Sequence, residues 1–217
     1  MSRQFKVAVV GATGAVGQEM LRVLEERNFP VSELVPVASE RSAGKTVTFR
    51  GTEHKVVAIS PEVFEGVDLA LFSAGGGTSL EWSPIAASKG ALVVDNSSAW
   101  RRDPDVPLVV PEVNLDHAAR RPKGIIANPN CSTIQMVVAL KPIHDAARLK
   151  RIVVATYQAI SGAGAQAVDA FRTQSREYGE GKPVTAGKGG AVLAGSLPMR
   201  WRPDVARGHQ EAEMKMG

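Results

Sequence analysis

The sequence predicts an α/β fold, with a doubly wound parallel sheet over residues 1–127 and a second domain of α+β type over residues 128–217. Two observations support this prediction. Short apolar runs of strand length alternate with runs of helical periodicity. A glycine-rich turn also lies directly between the first strand and the first helix.

Four apolar runs in the first domain are rich in Val, Leu and Ala and too short to be helices, so each predicts a buried strand. They cover residues 6–10, 34–38, 67–73 and 91–95. Apolar residues at helical spacing predict helices over 18–25 and 79–89. Ligands of such sheets bind at the carboxyl ends of the strands, so we expect a ligand beside the four segments that follow these strands. Those segments are 11–17, 39–45, 73–78 and 96–102.

The second domain has fewer clear elements. An apolar run at 125–127 leads into it, and the β-branched segment 152–159 predicts a further strand. Helical spacing predicts helices over 134–140 and 166–178. Residues 182–217 show little periodicity, so we assign no helix or strand to them from the sequence.

The composition is that of an ordinary globular enzyme, with 44% hydrophobic residues, 22% charged residues and a formal charge of +4. The basic residues are scattered, so we expect no nucleic-acid partner. The sequence predicts neither a signal peptide nor a membrane span, and its single cysteine allows no internal disulfide. We therefore predict a cytoplasmic protein with no membrane partner, and we expect no metal site.

The turn at residues 11–17 reads GATGAVG. Glycines allow the backbone to turn tightly and to approach a pyrophosphate, whose charge then meets the N-terminus of the following helix. This position predicts a Rossmann-type dinucleotide site, although the spacing is GxxGxxG and a tight turn without a ligand is the alternative. The predicted cofactor-binding residues are Gly11, Thr13, Gly14, Ala15 and Val16.

The residues after the second strand indicate which dinucleotide binds. NAD enzymes usually place an acid there to bind the ribose hydroxyl. Here Glu40 is followed by Arg41 and Ser42, and a guanidinium with a hydroxyl suits the 2′-phosphate of NADP. We predict NADP as the cofactor, with Arg41 and Ser42 as its contacts. The alternative is that Glu40 binds the ribose and the site prefers NAD.

Cys131 follows an Asn-Pro-Asn turn and lies just before the apolar run 134–140. A thiol at a helix N-terminus is stabilised as a thiolate by the helix dipole and the N–H groups there. Ser132 and Thr133 add hydroxyl groups at the same end. A buried, inert cysteine is the alternative, but it would not need these polar neighbours. We therefore predict that Cys131 is a covalent nucleophile.

Five segments in one order make the chain similar to the aspartate-semialdehyde dehydrogenases over roughly residues 5–190. They are GATGAVG at 11–17, ASERSAGK at 38–45, DNSSAWRRDPDVPLVVPEVN at 95–114, NPNCSTIQM at 128–136 and YQAISGAG at 157–164. The resemblance implies a cysteine that attacks aspartyl-β-phosphate and releases phosphate. NADPH then reduces the resulting thioester to aspartate β-semialdehyde, in lysine, threonine and methionine biosynthesis.

The resemblance also implies roles for individual residues. They are Cys131 as the nucleophile, Gln158 as the residue that orients substrate, Asn130 as a substrate contact, Arg101 and Lys215 as phosphate ligands, and Ser161 and Gly162 as a second NADP contact. Two alternatives stay open for the arginine. Arg102 could be the residue that points inward, or Arg101 could be a surface residue paired with Asp103 or Asp105.

The last part of the chain departs from the family's sequence pattern. The family's general acid/base is a histidine far beyond the cysteine, and this sequence ends at Gly217. His209 is a weaker match, because the family places its histidine after the lysine motif and not before it. We therefore expect a truncated or frameshifted chain with a partial catalytic and dimerisation domain and poor or no turnover. The resemblance further implies a homodimer or homotetramer.

Two rival functions stay open. A related reductase acts on N-acetyl-γ-glutamyl phosphate and shares the nucleotide turn and a catalytic cysteine. The residues of segments 97–102, 128–133 and 157–164 favour the aspartyl enzyme. The chain could instead be a non-catalytic nucleotide-binding fragment or a dimerisation partner.

Overall fold

The computed structural model describes residues 3–156, 159–186, 203–204 and 209–210. Contacts within the chain divide it into two compact units, residues 1–130 and residues 131–217. The first unit contains a parallel sheet, and the described part of the second consists mainly of helices.

Six strands of the first unit form one sheet in which every neighbouring pair is parallel. The strands of this unit are β1 (Phe5–Val10), β2 (Val31–Ala38), β3 (Thr46–Phe49), β4 (Thr52–Lys55), β5 (Val57–Ala58), β6 (Leu69–Phe72), β7 (Leu92–Asp95) and β8 (Ile125–Ala127). The sheet order is β5-β2-β1-β6-β7-β8, so the chain leaves β1 in one direction and continues from β6 in the other. This reversal is the switch point of a doubly wound fold and confirms the predicted class.

Helices pack on both faces of the sheet. The α-helices of the described residues are α1 (Ala15–Glu26), α2 (Gly76–Ser88), α3 (Pro111–Asn114), α4 (Cys131–Ala147) and α5 (Ala165–Gly179). Val7 and Val9 of β1 share one core cluster with Leu21 of α1, whereas Ala8 and Val10 share the other with Ala86 of α2. Alternate side chains of β1 are therefore buried on opposite faces, which explains its unbroken apolar sequence.

An antiparallel hairpin formed by β3 and β4 was not predicted from the sequence. Its inward side chains Val47 and Phe49 are each only 4% exposed. Arg50 and Gly51 form the two-residue turn, and both have positive φ, at 50° and 71°. Alternating apolar residues followed by a glycine turn are a recognisable hairpin signal, so this element was open to prediction.

The predicted strand at 152–159 is wrong over its described residues, since residues 151–156 belong to no strand. Ile152, Val153 and Val154 are 51%, 80% and 44% exposed. A strand exists only when a neighbour completes its ladder of hydrogen bonds, and no strand in the described ranges pairs with this segment. β-branched composition alone could not show whether that neighbour is present.

The predicted helices of the second unit are confirmed, because 134–140 lies within α4 and 166–178 within α5. Near the start of the segment 182–217, Thr185 is hydrogen-bonded to α5. Buried Gln174 donates to the Thr185 carbonyl at 3.0 Å, and Glu177 accepts from the Thr185 backbone N–H at 2.7 Å. The Thr185 hydroxyl also donates to Glu177, at 2.9 Å, and the two bonds that Glu177 accepts from Thr185 lower its pKa.

Farther along, two short strands pair antiparallel, β9 (Pro203–Asp204) and β10 (His209–Gln210). The sequence had given no assignment for these four residues. Across the described residues, no helix combines the length and the apolar character that a membrane span needs.

Candidate active site

The glycine turn after β1 is shaped by two close backbone approaches. Gly11 has φ +92°, and a Cβ there would lie 2.5 Å from the carbonyl oxygen of Ser73. A Cβ on Gly17 would overlap the carbonyl of Gly11 itself. Only glycine fits at these two positions, because the atoms in the way are main chain and cannot rotate aside.

The residues between these glycines form an open surface. Thr13, Gly14, Ala15 and Val16 are all exposed. Helix α1 begins at Ala15, and no side chain caps its N-terminus. The first N–H groups of a helix have no intrahelical acceptor, so a pyrophosphate placed on this turn would meet several backbone donors and the positive end of the dipole.

The predicted 2′-phosphate residues follow β2, the strand whose end is hydrogen-bonded to this turn. The backbone N–H groups of Gly11 and Ala12 both donate to the carbonyl of Val37, at 2.8 and 3.1 Å, which attaches the turn to the end of β2. A 3₁₀ helix over Glu40–Ser42 follows that strand directly. Arg41 is exposed and Ser42 is half-buried, so neither side chain is closed off from solvent. Glu40, the alternative ribose ligand, is exposed as well.

A second glycine-rich turn follows β6. Gly75 has φ +92°, and α2 begins at Gly76. A Cβ on Gly75, Gly76 or Gly77 would meet no atom within 4 Å, so open space lies beside this backbone. The turn belongs to the segment 73–78, where the sheet topology predicts a ligand.

Arg101 lies between the ends of β7 and β8. Its Nε donates to the carbonyl of Asn128 at 2.9 Å, and its Nη2 donates to the carbonyl of Asn96 at 3.1 Å. Arg101 is half-buried, whereas Arg102 is exposed. Of the two arginines, Arg101 is therefore the one that is held at the carboxyl edge of the sheet.

Asp103 and Asp105, the two acids considered as alternative partners of Arg101, form ion pairs with Lys123 in the structure. Lys123 Nζ lies 2.7 Å from a carboxylate oxygen of Asp103 and 3.6 Å from one of Asp105. This contact lowers the pKa of Asp103, which keeps the carboxylate charged and paired with the lysine. The two acids thus have a basic partner other than Arg101.

The loop that carries Arg101 is anchored by buried polar contacts that the sequence analysis missed. Asp95, which is fully buried, accepts from the Ser97 hydroxyl at 2.6 Å. The indole N–H of Trp100 donates to Ser79 Oγ in α2 at 3.1 Å. The spacing Asp-x-Ser after a strand is a known turn signal, but the Trp100–Ser79 contact depends on tertiary packing.

Cys131 is the first residue of α4 and is exposed, as predicted for a thiol at a helix N-terminus. It opens onto a cavity of about 390 Å³ within the second unit. The other lining residues are Ser132, Gln135, Thr156, Ala159, Ser161 and Gly162. The structure thus brings together Cys131, Ser161 and Gly162, which the sequence analysis had singled out separately.

Gln135 is a cavity residue that the sequence analysis did not identify. It follows Cys131 by four positions on α4, so the two side chains lie on one face of the helix. That spacing in NPNCSTIQM was visible in the sequence. Gln158 and Lys215 lie outside the described residues, although Thr156 and Ala159 on either side of Gln158 line the cavity. His209 lies in β10, of which only the backbone is described.

Within the described ranges, no cluster of three or more His, Cys, Asp or Glu side chains has the arrangement of a metal site. Asn130, the predicted substrate contact, directly precedes Cys131 and is half-buried.

Comparison with known proteins identifies two domain types. Residues 6–121 match the family model "Semialdehyde dehydrogenase, NAD binding domain", and residues 140–217 match "Semialdehyde dehydrogenase, dimerisation domain". The chain is 63% identical over 182 residues to an aspartate-semialdehyde dehydrogenase from Aquifex aeolicus, a match that covers 83% of this chain and 54% of that protein.

Two solved structures extend this likeness. One is aspartate semialdehyde dehydrogenase II complexed with ASA from Vibrio cholerae, with TM-score 0.93 and 49% identity over 99% of this chain and 64% of that one. The other is aspartate semialdehyde dehydrogenase with NADP from Candida albicans, with TM-score 0.58 and 29% identity over 68% of this chain and 48% of that one. The chain thus spans about half to two thirds of the length of these relatives.

Proposed function

Because the chain belongs to the semialdehyde dehydrogenase family, we propose that it carries out, or forms part of an enzyme that carries out, the NADP-dependent conversion of aspartyl-β-phosphate to aspartate β-semialdehyde. The observation that supports this proposal most directly is Cys131, exposed at the first position of α4 and open to a cavity that also contains Ser161 and Gly162.

In the proposed reaction, the Cys131 thiolate attacks the acyl carbon of aspartyl-β-phosphate. A C–S bond forms, the C–O bond to phosphate breaks, and phosphate leaves with the electron pair. When bound, NADPH supplies the hydride that reduces the thioester. The C–S bond then breaks, aspartate β-semialdehyde is released, and Cys131 returns as the thiolate.

The position of Cys131 suits both halves of this reaction. The thiol stands at the N-terminus of α4, where backbone N–H groups and the positive end of the helix dipole face it. Backbone N–H groups at the same terminus are donors for the oxyanion that develops on the acyl oxygen. The cavity has polar side chains from Ser132, Gln135 and Thr156, which suits an amino-acid substrate with a carboxylate and an ammonium group.

The remaining roles are proposals of the same kind. Arg101 binds the departing phosphate, for which a guanidinium is well suited. Asn130 contacts substrate, Gln158 orients it, and Lys215 is a second phosphate ligand. The first domain, 1–127, holds the dinucleotide, and the second, 128–217, contributes the cysteine and the subunit interface.

Assembly and location complete the proposal. The match of residues 140–217 to a dimerisation domain supports a homodimer or homotetramer. A cytoplasmic location fits the mechanism, since the thiol of Cys131 has to stay reduced in order to attack.

NADP as the cofactor is supported by Arg41 and Ser42 beside the glycine turn and by the NADP complex of the Candida albicans relative. We expect Arg41→Ala to weaken NADPH binding by about tenfold or more, because a charge-assisted contact to the 2′-phosphate is lost. Binding of NADH, which has no 2′-phosphate, should change little. Fluorescence titration with both nucleotides measures this difference.

The control for this experiment is Glu40→Ala. If Glu40 binds the ribose instead, its removal weakens NADH and leaves NADPH unchanged or improved. Equal loss of both nucleotides in Arg41→Ala would show that Arg41 does not read the 2′-phosphate.

The proposed function is tested by incubating the protein with aspartate β-semialdehyde and NADP in the absence of phosphate. The thiolate adds to the aldehyde, hydride passes to NADP, and an aspartyl thioester accumulates on Cys131 together with one equivalent of NADPH. Mass spectrometry locates the adduct, and added phosphate should discharge it. Nucleotide binding without an adduct would favour the non-catalytic fragment, and an adduct formed only from N-acetylglutamate semialdehyde would favour the related reductase.

A further inference from the structure

We propose that Asn96 and Asn128 are positioning residues, whose mutual hydrogen bond holds the guanidinium of Arg101 in the orientation that binds phosphate. The inference rests on the phosphate role proposed above for Arg101. Neither asparagine is among the residues to which the family resemblance gave a role.

The two asparagines occupy equivalent places on adjacent strands. Asp95 of β7 and Ala127 of β8 are partners in the parallel ladder, and Asn96 and Asn128 are the residues that follow them. The Asn128 amide Nδ2 donates to Asn96 Oδ1 at 2.6 Å. The Asn128 backbone N–H also donates to the carbonyl of Asp95 at 2.8 Å. The side-chain bond therefore continues the connection between the two strands past the end of the ladder.

The backbone carbonyls of the same two residues bind Arg101. Its Nε donates to Asn128 and its Nη2 to Asn96, at 2.9 and 3.1 Å. Nε and Nη2 define one edge of the planar guanidinium, so two bonds on that edge fix both the direction and the plane of the group. The spacing of the two carbonyls matters for this geometry, and the Asn96–Asn128 bond maintains that spacing.

The partly buried setting makes the arrangement effective. Asn96, Arg101 and Asn128 are all half-buried, so water competes less for these bonds than it would at an exposed site. Asn128 also begins the turn that leads, three residues later, to Cys131. Asn128 thus both binds Arg101, the proposed phosphate ligand, and begins the turn that precedes Cys131.

A purely structural role is the alternative, in which the two amides only close the ends of β7 and β8. The two roles differ in what a substitution changes. A structural role lowers the stability of the protein, whereas a positioning role lowers the affinity of Arg101 for phosphate at unchanged nucleotide binding. The measurement therefore has to report on Arg101 itself and must not depend on turnover.

Phosphate protection of Arg101 against phenylglyoxal provides this measurement. The rate of modification at Arg101, followed by mass spectrometry over a series of inorganic phosphate concentrations, gives a phosphate dissociation constant. The variants are Asn96→Ala, Asn128→Ala and the double variant. We expect each single variant to weaken phosphate about 3- to 10-fold, and the double variant to be no weaker than either single one, because both substitutions remove the same bond.

Asn114→Ala is the matched control. The Asn114 side chain also braces a loop of the first unit, since it donates to the Leu108 carbonyl at 3.0 Å and accepts from the Val110 N–H at 2.8 Å. It has no described contact with Arg101, so its substitution should lower the thermal stability and leave phosphate protection unchanged.

The outcomes separate this inference from the proposed function. If phosphate does not protect Arg101 in the unsubstituted protein, the phosphate role of Arg101 is wrong and the inference falls with it. If phosphate protects Arg101 equally in the unsubstituted protein and in Asn96→Ala and Asn128→Ala, the positioning role alone is wrong. Strictly additive losses in the double variant would also overturn it.

Discussion

Replacing Cys131 with serine is expected to lower the rate at which one equivalent of NADPH forms from aspartate β-semialdehyde and NADP in the absence of phosphate by at least about three orders of magnitude. A serine hydroxyl is almost fully protonated at neutral pH and is a much weaker nucleophile than a cysteine thiol. The thioester adduct should disappear from position 131 for the same reason. The glycine turn belongs to the other compact unit, so NADPH binding should remain.

Ser132→Ala is a suitable control for this experiment. It changes a cavity-lining hydroxyl on the same turn of α4 and leaves the thiol in place. We expect a loss of less than about tenfold, the size of one neutral hydrogen bond. If the Cys131→Ser variant kept a tenth or more of the unsubstituted rate, Cys131 could not be the nucleophile.

Substituting Gly11 with alanine is expected to destabilise the first unit by about 3 kcal/mol and to abolish measurable NADPH binding. Two effects add at this position. An L residue is strained at the φ of +92° that Gly11 adopts, and the new Cβ would lie 2.5 Å from the carbonyl oxygen of Ser73. The backbone has to move, and that movement displaces the turn on which a pyrophosphate would rest.

Urea unfolding and NADPH titration measure the two effects of Gly11→Ala separately. Gly77→Ala is the matched control, because Gly77 lies in α2 and a Cβ there meets no atom within 4 Å. Alanine is a better helix former than glycine, so this variant should be as stable as the unsubstituted protein or slightly more stable. A Gly11→Ala variant with unchanged stability and unchanged nucleotide binding would contradict the account of the turn.

Much of the first unit could be predicted because its signals are local. The apolar run 6–10 and the glycines that follow it indicate a buried strand and a tight turn without reference to any distant residue. The hairpin of β3 and β4 had such a signal too, in the alternation around Val47 and Phe49, and was overlooked. Cys131 at the start of a helix was likewise readable from the residues on either side of it.

The contacts that define the candidate site could not be predicted from local sequence patterns, because they join distant parts of the chain. Two neighbouring arginines in SSAWRR are equivalent as sequence, and only the carbonyls at the ends of β7 and β8 distinguish Arg101 from Arg102. The partner of Asp103 is Lys123, 20 positions away. No periodicity within a short window carries that information.

By itself, then, the sequence determined most of the parallel strands and helices of the first unit, the glycine turn after β1 and the position of Cys131 at the start of a helix, since each depends on backbone preferences and apolar spacing within about ten residues. Tertiary structure alone decided which side chains face one another. It left 152–156 without a strand partner in the described chain, and it joined Asn96 to Asn128 across 32 positions. A strand or a polar pair forms only when its partner lies beside it in the folded protein. Whether the partner lies there depends on how the whole sheet is assembled.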